Sequence, residues 1–153
     1  MLNFLENHDE QRFASDFFGC DARNSYAALY TALYLNNAPF MLYAGEEVGE
    51  RGMDNEGFSG RDGRTTIFDY WSVDSIRRWS NHGRYNLHLL NDQEKELRHF
   101  YQTVLTLCNK EKAISKGEFF DLMYVNSDGW MMNPHRQYVF MRKCDDELLL
   151  VIT

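Results

Sequence analysis

The stretch that most constrains the fold is a continuous apolar run at residues 38–44, which ends at Gly45. Apolar and polar side chains do not alternate in it, which is typical of a strand buried on both faces of a parallel sheet. A second short apolar run, residues 2–6, lies earlier in the chain, and a helical segment separates the two runs. Strand, helix and strand in this order predict a βαβ unit with a right-handed crossover.

The crossover helix is predicted for residues 22–35. Asp21 offers an N-cap, and Asn36-Asn37 followed by Pro39 would end the helix, because asparagine tolerates left-handed backbone and proline cannot continue a helix. Four apolar residues recur at the i, i+3, i+4, i+7 spacing of one helix face: Tyr26, Leu29, Tyr30 and Leu33.

Polar side chains follow both predicted strands at the point where each strand ends. Asn7, His8 and Asp9 come after the first strand, and Glu46 and Glu47 come after the second. The carboxyl ends of neighbouring parallel strands open on one rim, where barrels and open α/β sheets carry their chemistry. We therefore predict a site on this rim. The alternative is that His8 and Asp9 only terminate the strand, since such pairs are often structural.

Residues 48–89 show no helix or strand periodicity and contain many glycines, charged residues and large aromatic residues in no regular order. Ordered loops of this length are usually functional. Aromatic faces with nearby Arg and Asp would suit a sugar or another polar ring, although a loop packed on the core by its own aromatic side chains explains the pattern equally well. The aromatic residues are Phe58, Phe68, Tyr70, Trp71, Trp79 and Tyr85.

The second half of the chain changes in character. Residues 91–112 predict a long helix that opens with a capping-box variant from Asn91 to Glu94. Beyond Ala113 the pattern favours three strands, at residues 117–125, 137–143 and 147–153, with polar turns between them. This hairpin or meander region is distinct from the βαβα part that precedes it.

Composition excludes some classes of function. The net charge of −7 disfavours a nucleic-acid partner, because phosphate binding needs a basic face. No apolar segment approaches the length that spans a bilayer, and the three cysteines lack the spacing of a zinc site. A metal site at His8, Asp9 and Glu10 is disfavoured, since adjacent residues of an extended chain point to opposite sides. Localisation stays open, because we expect the natural N-terminus to be missing.

The segment Phe4-Leu5-Glu6-Asn7-His8-Asp9 resembles the Phe-x-x-Asn-His-Asp signature of glycoside hydrolase family 13, the α-amylase family, at the end of barrel strand seven. Residues 38–47 look like the strand-eight segment of that family, with Asn37 in place of the usual glycine. Residues 61–66 are similar to an Asp-x-x-Arg-Thr segment in the loop that follows. Residues 117–153 resemble the opening strands of the all-β domain after the barrel.

The resemblance implies an α/β plus all-β fold. Residues 1–113 would be the last two βα units of a (β/α)8 TIM barrel, and residues 114–153 would be the first antiparallel strands of a β-sandwich-like C-terminal domain. A barrel needs eight strands, so the chain would be a C-terminal fragment with both ends cut. A lone barrel quarter exposes its strands, and we expect the fragment to dimerise, rearrange or pair with the missing part.

The resemblance also implies a retaining attack on α-glucosidic bonds of starch-type oligosaccharides by two carboxyl groups. Both would lie upstream, so the fragment itself is expected to be inactive. Asp9 matches the third carboxylate of the family and would hold sugar hydroxyls where the bond breaks, while His8 would hydrogen-bond the same sugar. Asn7, Arg12 and Arg64 complete the expected set as substrate-binding residues, with Asn7 and Arg12 orienting the pair.

The expected partner is an α-glucan or maltooligosaccharide, with no nucleic acid and no membrane segment, and no cofactor or metal is assigned. Calcium in the full-length parent stays open, because the calcium ligands of such enzymes would lie mostly upstream. The competing hypothesis is a non-catalytic carbohydrate-binding or protein-interaction module that uses the aromatic loop at residues 58–85. Upstream strands that carry Asp and Glu motifs would favour the enzyme.

Overall fold

The computed structural model describes residues 1–52, 61–65, 73–125 and 132–153. By its internal contacts the chain divides into two compact units, one of residues 1–3, 29–40 and 103–153 and the other of residues 4–28 and 41–102. The regular elements are α1 (Tyr26–Tyr34), α2 (Asp74–Ser80), α3 (Asp92–Lys110), α4 (Lys112–Ser115), β1 (Glu118–Asp121), β2 (Val139–Cys144) and β3 (Glu147–Ile152). The domain boundary proposed at residue 113 follows chain order and stays a prediction.

The predicted helices form because their end signals are local. A 3-10 turn at Ala22–Ser25 precedes α1, and the Asp21 carboxylate accepts a hydrogen bond from the backbone N–H of Arg23. At the start of α3, Glu94 N donates to Asn91 Oδ1 at 2.9 Å and Asn91 N donates to Glu94 Oε2 at 2.8 Å. This reciprocal pair is a capping box. The predictions of an N-cap at Asp21, of a helix within residues 22–35 and of a capping box at Asn91 and Glu94 are therefore confirmed.

The long irregular segment contains a helix that its composition did not predict. Helix α2 covers Asp74–Ser80 and ends at Asn81, whose backbone is left-handed. An ion pair between Arg78 of α2 and Glu94 of α3 joins the two helices. Four aromatic residues of the loop hypothesis lie outside the described residues: Phe58, Phe68, Tyr70 and Trp71.

The three predicted C-terminal strands form an antiparallel sheet in the order β1-β2-β3. Strands β2 and β3 pair from Val139↔Ile152 to Cys144↔Glu147, so the predicted turn at Asp145-Asp146 is confirmed. One sheet face carries the buried side chains of Phe140, Arg142 and Val151. The opposite face of β3 is exposed and apolar, through Leu148, Leu150 and Ile152.

Arg142 is the buried centre of this unit. Its guanidinium donates to groups at the end of α1, in and after α4, and before β1. Burial lowers the pKa of Arg142. These acceptors are uncharged. Arg142 therefore mainly satisfies backbone carbonyl oxygens that have no hydrogen-bond partner at the helix ends. They are the carbonyl oxygens of Ala113 (3.2 Å), Leu35 (2.9 Å), Ile114 (2.9 Å) and Gly117 (2.7 Å) and the side-chain oxygen of Asn37.

The two predicted parallel strands at residues 2–6 and 38–44 are much shorter than expected. Between these two segments, which are both described, there is one parallel bridge, Asn3↔Phe40, in which Asn3 N donates to Pro39 O at 2.9 Å. Parallel strands of the predicted kind need paired neighbours and covered faces, and here Phe4 and Leu42 are exposed. The parallel orientation is therefore observed at one residue pair, whereas the prediction of two doubly buried strands is wrong for this chain.

Candidate functional site

The loop that carries Asn7, His8 and Asp9 is closed at both ends by one carboxylate. Glu6 Oε1 accepts a hydrogen bond from the backbone N–H of Phe13 at 2.6 Å. Glu6 Oε2 accepts one from Arg12 Nη1, also at 2.6 Å. Because both oxygens of Glu6 are used inside the protein, this carboxylate shapes the loop and presents no free oxygen to a ligand.

Arg12 lies entirely inside the protein, with 0% of its surface exposed. Besides Glu6, its guanidinium donates through Nε to Thr65 Oγ1 at 2.9 Å and through Nη2 to the Ala44 carbonyl at 2.5 Å. It also lies 4.3 Å from the centroid of the Tyr43 ring, within cation–π range. Direct contact of Arg12 with substrate does not fit this burial, because every face of the guanidinium contacts protein and the residue can act on a ligand only through the loop. The orienting role expected of Arg12 stays a prediction.

His8 and Asp9 are exposed, as a substrate-binding pair must be. Their side chains are 54% and 72% accessible, and His8 Nε2 lies 3.5 Å from Asp9 Oδ2. Asn7 Oδ1 accepts hydrogen bonds from the backbone N–H groups of Asp9 (2.8 Å) and Glu10 (2.9 Å). Asn7 therefore turns the backbone that carries the pair, and His8 and Asp9 offer an imidazole and a carboxylate to solvent.

Arg64 lies on a segment that is tied directly to this loop. Arg12 N donates to the Gly63 carbonyl at 2.6 Å, and Gln11 Nε2 donates to the Asp62 carbonyl at 3.1 Å. The Arg64 side chain is partly exposed, and its Nε lies 3.6 Å from Asp62 Oδ2. The same unit thus holds an exposed imidazole and carboxylate and, on the adjoining segment, a partly exposed guanidinium.

Glu46 was predicted to be a polar residue on the rim, but the structure buries it. Its Oε1 accepts from the Tyr101 hydroxyl at 3.0 Å, and its Oε2 accepts from the backbone N–H of Tyr43 at 3.3 Å. Burial, together with the negative charge of Glu6, raises the pKa of Glu46 to about 8. Burial also raises the pKa of Glu6, against the pull of Arg12. At neutral pH, Glu46 therefore keeps its proton and adds no second negative charge beside Glu6 and Arg12.

The proton on Glu46 predicts a loss of stability at alkaline pH. Its folded pKa of about 8 lies above its ordinary value of 4.5, so the folded state binds the extra proton between these limits. The stabilisation is complete below about pH 4.5 and is lost as the pH rises through 8. We expect this group to lower the free energy of unfolding by on the order of a few kcal/mol over that range.

Urea unfolding of wild type and Glu46→Gln at pH 5, 7 and 9 measures this effect. Glutamine imitates the protonated acid, so the variant should lose most of the decline toward pH 9. Glu47→Gln, at the neighbouring half-buried position, is the matched control and should keep the wild-type slope. Equal slopes for wild type and Glu46→Gln would contradict a buried neutral Glu46.

Gly63 is required by the close packing of the segment that carries Arg64. Its φ is +86°, and an added Cβ would lie 2.1 Å from Ser15 Oγ. Gly63→Ala should therefore cost about 2–4 kcal/mol, from left-handed strain and overpacking together. Gly83→Ala is the matched control, since φ is +82° there but nothing lies within 4 Å of the added atom. Chemical unfolding should rank Gly83→Ala well above Gly63→Ala in stability, and equal losses would refute the steric argument.

Sequence reasoning missed the buried part of this arrangement. Glu6 was included only as part of the predicted strand at residues 2–6, and Tyr101 only as part of the predicted helix at residues 91–112. The available signal was an acid inside an apolar run with an arginine six residues later, since a buried charge needs a partner. Thr65 carried no such signal, because its contact with Arg12 joins residues far apart in the chain.

The competing aromatic site is described only in part. Trp79 and Tyr85 form an edge-to-face pair with ring centroids 5.2 Å apart, and Tyr85 is exposed. Within the described ranges, no group of three potential metal ligands is found. Nor is any described helix long and apolar enough to cross a membrane.

Comparisons with known proteins identify solved structures that share this fold. No family model matches the sequence, and no curated protein matches it. Among solved structures, AmyP in complex with maltose is 20% identical with a TM-score of 0.63, and the match covers 99% of this chain and 30% of AmyP. Trehalose-6-phosphate hydrolase of Bacillus licheniformis is 18% identical with a TM-score of 0.54, covering 99% of this chain and 33% of the enzyme.

A third match is the trehalulose synthase MutB from Pseudomonas mesoacidophila MX-45, at 17% identity and a TM-score of 0.54, which covers 97% of this chain and 33% of MutB. The chain therefore spans about a third of the length of the enzymes that it matches. These enzymes belong to glycoside hydrolase family 13. The chain has the fold of a portion of α-amylase-family enzymes that includes part of the barrel and the C-terminal region.

Proposed function

We propose that this chain is the C-terminal portion of a retaining glycosidase that acts on α-glucosidic bonds of starch-type oligosaccharides. The observation that carries the proposal is the exposed His8–Asp9 pair, on a loop closed by a buried Glu6–Arg12 ion pair. It occurs in a chain with the fold of a portion of α-amylase-family enzymes. The nucleophile and the general acid are proposed to lie outside these 153 residues.

Exposed apolar residues on the surface support the proposal that this chain is part of a larger protein. Phe4 and Leu42, in the segments predicted as barrel strands, are exposed, as is the apolar face of β3. In a complete barrel with its C-terminal domain, neighbouring strands would cover such residues. We expect the isolated chain to associate with itself through these surfaces, and sedimentation velocity at increasing concentration would show this.

The chemistry of the exposed groups suits the proposed role. A carboxylate such as Asp9 can accept hydrogen bonds from two sugar hydroxyls, and the His8 imidazole can donate one beside it. In a site closed to water, the negative charge of Asp9 also favours the positive charge that develops on the ring at the oxocarbenium-like transition state. Arg64, partly exposed on the adjoining segment, offers donors to further hydroxyls. None of these groups needs to form or break the glycosidic bond.

The full-length protein, compared with the isolated chain, tests this function. The full-length protein should hydrolyse maltooligosaccharides, whereas the isolated chain should not. Sucrose and trehalose-6-phosphate serve as competing substrates, since the matched enzymes include one solved with sucrose and one trehalose-6-phosphate hydrolase. Hydrolysis by the isolated chain would overturn the claim that the catalytic carboxyl groups lie elsewhere. Tight binding of maltooligosaccharides with no hydrolysis by the full-length protein would favour the carbohydrate-binding module instead.

A further inference from the structure

We propose that Glu6 and Arg12 are the positioning pair of this site, and that they set the rate of the reaction by holding the loop of His8 and Asp9. The inference rests on the proposed function for its kinetic part. Neither residue touches substrate, because both are buried. Their effect is exerted through the backbone that they fix.

The first step of the argument is the closure of the loop. The Glu6 carboxylate binds the backbone N–H of Phe13 and the guanidinium of Arg12, each at 2.6 Å. A single side chain thus joins the residue before Asn7 to the residues that end the loop. Hydrogen bonds with a charged partner are stronger than neutral ones, so the loop that carries the exposed pair is closed by strong contacts.

The second step is the anchoring of that closed loop to its surroundings. Arg12 donates to the carbonyl of Ala44, at the end of the second apolar run, and to the hydroxyl of Thr65, beside Arg64. The planar fork of arginine directs its donors toward three separate segments, which a lysine ammonium cannot reproduce. Arg12 therefore fixes where the loop lies relative to the segment that presents Arg64.

The third step is that His8 and Asp9 have little else to hold them. Their side chains are mostly exposed and meet at 3.5 Å, and Asn7 turns the intervening backbone from within the loop itself. A contact between exposed charged groups contributes little energy. The position of the pair is consequently set by how the loop is closed and anchored.

The fourth step concerns what a buried ion pair is suited to do. Removing two charges from water costs about as much free energy as their attraction returns, so such pairs add little net stability. Glu6 and Arg12 nevertheless engage at least four directional contacts, to Phe13, Thr65, Ala44 and each other. Defined geometry is thus the main consequence of this arrangement. Catalysis is sensitive to it, since a displacement of about 1 Å can cost about 10²-fold in rate.

The test uses the full-length protein with Glu6→Gln, Arg12→Lys and the double variant. Each single variant should lower kcat on maltooligosaccharides by about 10²-fold, with a much smaller change in KM. The double variant should lose little more than either single one, because the two residues act as a unit. Arg12→Lys keeps the charge but not the fork, so wild-type kcat in that variant would overturn the proposal.

Glu94→Gln is the matched control for a general loss of stability. Glu94 is a buried carboxylate paired with an arginine, but its contacts are with Arg78 and Asn91 at the start of α3. The control should lower the melting temperature and leave kcat unchanged at temperatures where the protein is folded. If kcat fell equally in Glu94→Gln and Glu6→Gln at matched stability, the positioning role would be overturned.

Hydrogen exchange separates this inference from the proposed function. The Phe13 amide should be protected in wild type and should exchange at least about tenfold faster in Glu6→Gln, since one hydrogen bond to a charged group contributes about 1.5–3 kcal/mol. This readout needs no activity, so it decides the loop closure even if the full-length protein hydrolyses no glucan. Unchanged Phe13 exchange in Glu6→Gln would overturn the positioning pair on its own.

Discussion

Asp9→Asn in the full-length protein should lower kcat on maltooligosaccharides by about 10²–10³-fold. Asparagine keeps the size of the side chain and one hydrogen-bond acceptor, but it removes the negative charge. In the proposed mechanism, that charge acts where the sugar ring becomes positive, so the loss falls mainly on the transition state and not on substrate binding. Because Asp9 is exposed, the fold should tolerate the change.

Steady-state kinetics and a melting curve for the same preparations separate the two effects. Asp145→Asn is the matched control: Asp145 has a φ of +51° in the β2–β3 turn, a conformation that asparagine tolerates well. This control should keep wild-type kcat and nearly wild-type stability. An Asp9→Asn protein with kcat within about threefold of wild type would remove Asp9 from the site, since the loss of a transition-state contact is much larger than that.

Arg142→Leu should be the most destabilising substitution in the unit that contains the sheet. It removes the donors of five oxygen acceptors on elements that precede the sheet, α4 and the end of α1 among them. Buried carbonyls left unpaired cost about 1–3 kcal/mol each, so we expect a loss of at least about 3 kcal/mol. For a chain of this size, that loss corresponds to a decrease in melting temperature of roughly 10 °C.

Urea unfolding of Arg142→Leu beside Lys143→Leu measures this loss. Lys143 is the next residue of β2, but its side chain is exposed, so it matches the change in hydrophobicity without breaking contacts. Lys143→Leu should unfold within about 0.5 kcal/mol of wild type, as surface substitutions usually do. If Arg142→Leu were equally mild, the arginine would not be the centre of the unit.

The helices and the hairpin could be predicted because their determinants lie close together in the sequence. The Asp21 cap and the Asn91–Glu94 capping box each act within one helical turn. The turn between β2 and β3 is set by two adjacent aspartates. Helix α2 escaped prediction because seven residues, Asp74–Ser80, are too few for a periodic pattern to stand out from a loop rich in charges and aromatic residues.

The two apolar runs show the limit of this reasoning. Their composition correctly indicated parallel neighbours, and Asn3 and Phe40 do form a parallel bridge. Apolar composition, however, predicts only that a segment would be buried in a complete sheet. A strand forms only where hydrogen-bonding neighbours are present. Phe4 and Leu42 are therefore exposed in this chain although their sequence favours burial.

The candidate site was likewise predictable in part: the sequence located its exposed loop but not its buried charged residues. An Asn-His-Asp sequence after an apolar run located the exposed loop, because that pattern is local. Which charged residue faces inward is decided by tertiary packing. Arg12 was therefore predicted to bind substrate as well as to orient His8 and Asp9, and Glu46 was predicted to lie on the rim, although both are buried. Their burial is explained by distant partners, Thr65 for Arg12 and Tyr101 for Glu46.

The anomeric configuration of the first product tests the proposed function most directly. The full-length protein would be mixed with a maltooligosaccharide, and the reducing end that is released would be followed by proton NMR before mutarotation. A retaining mechanism with two carboxyl groups predicts that the α-anomer appears first. Initial release of the β-anomer, or no release of sugar by the folded full-length protein, would contradict it.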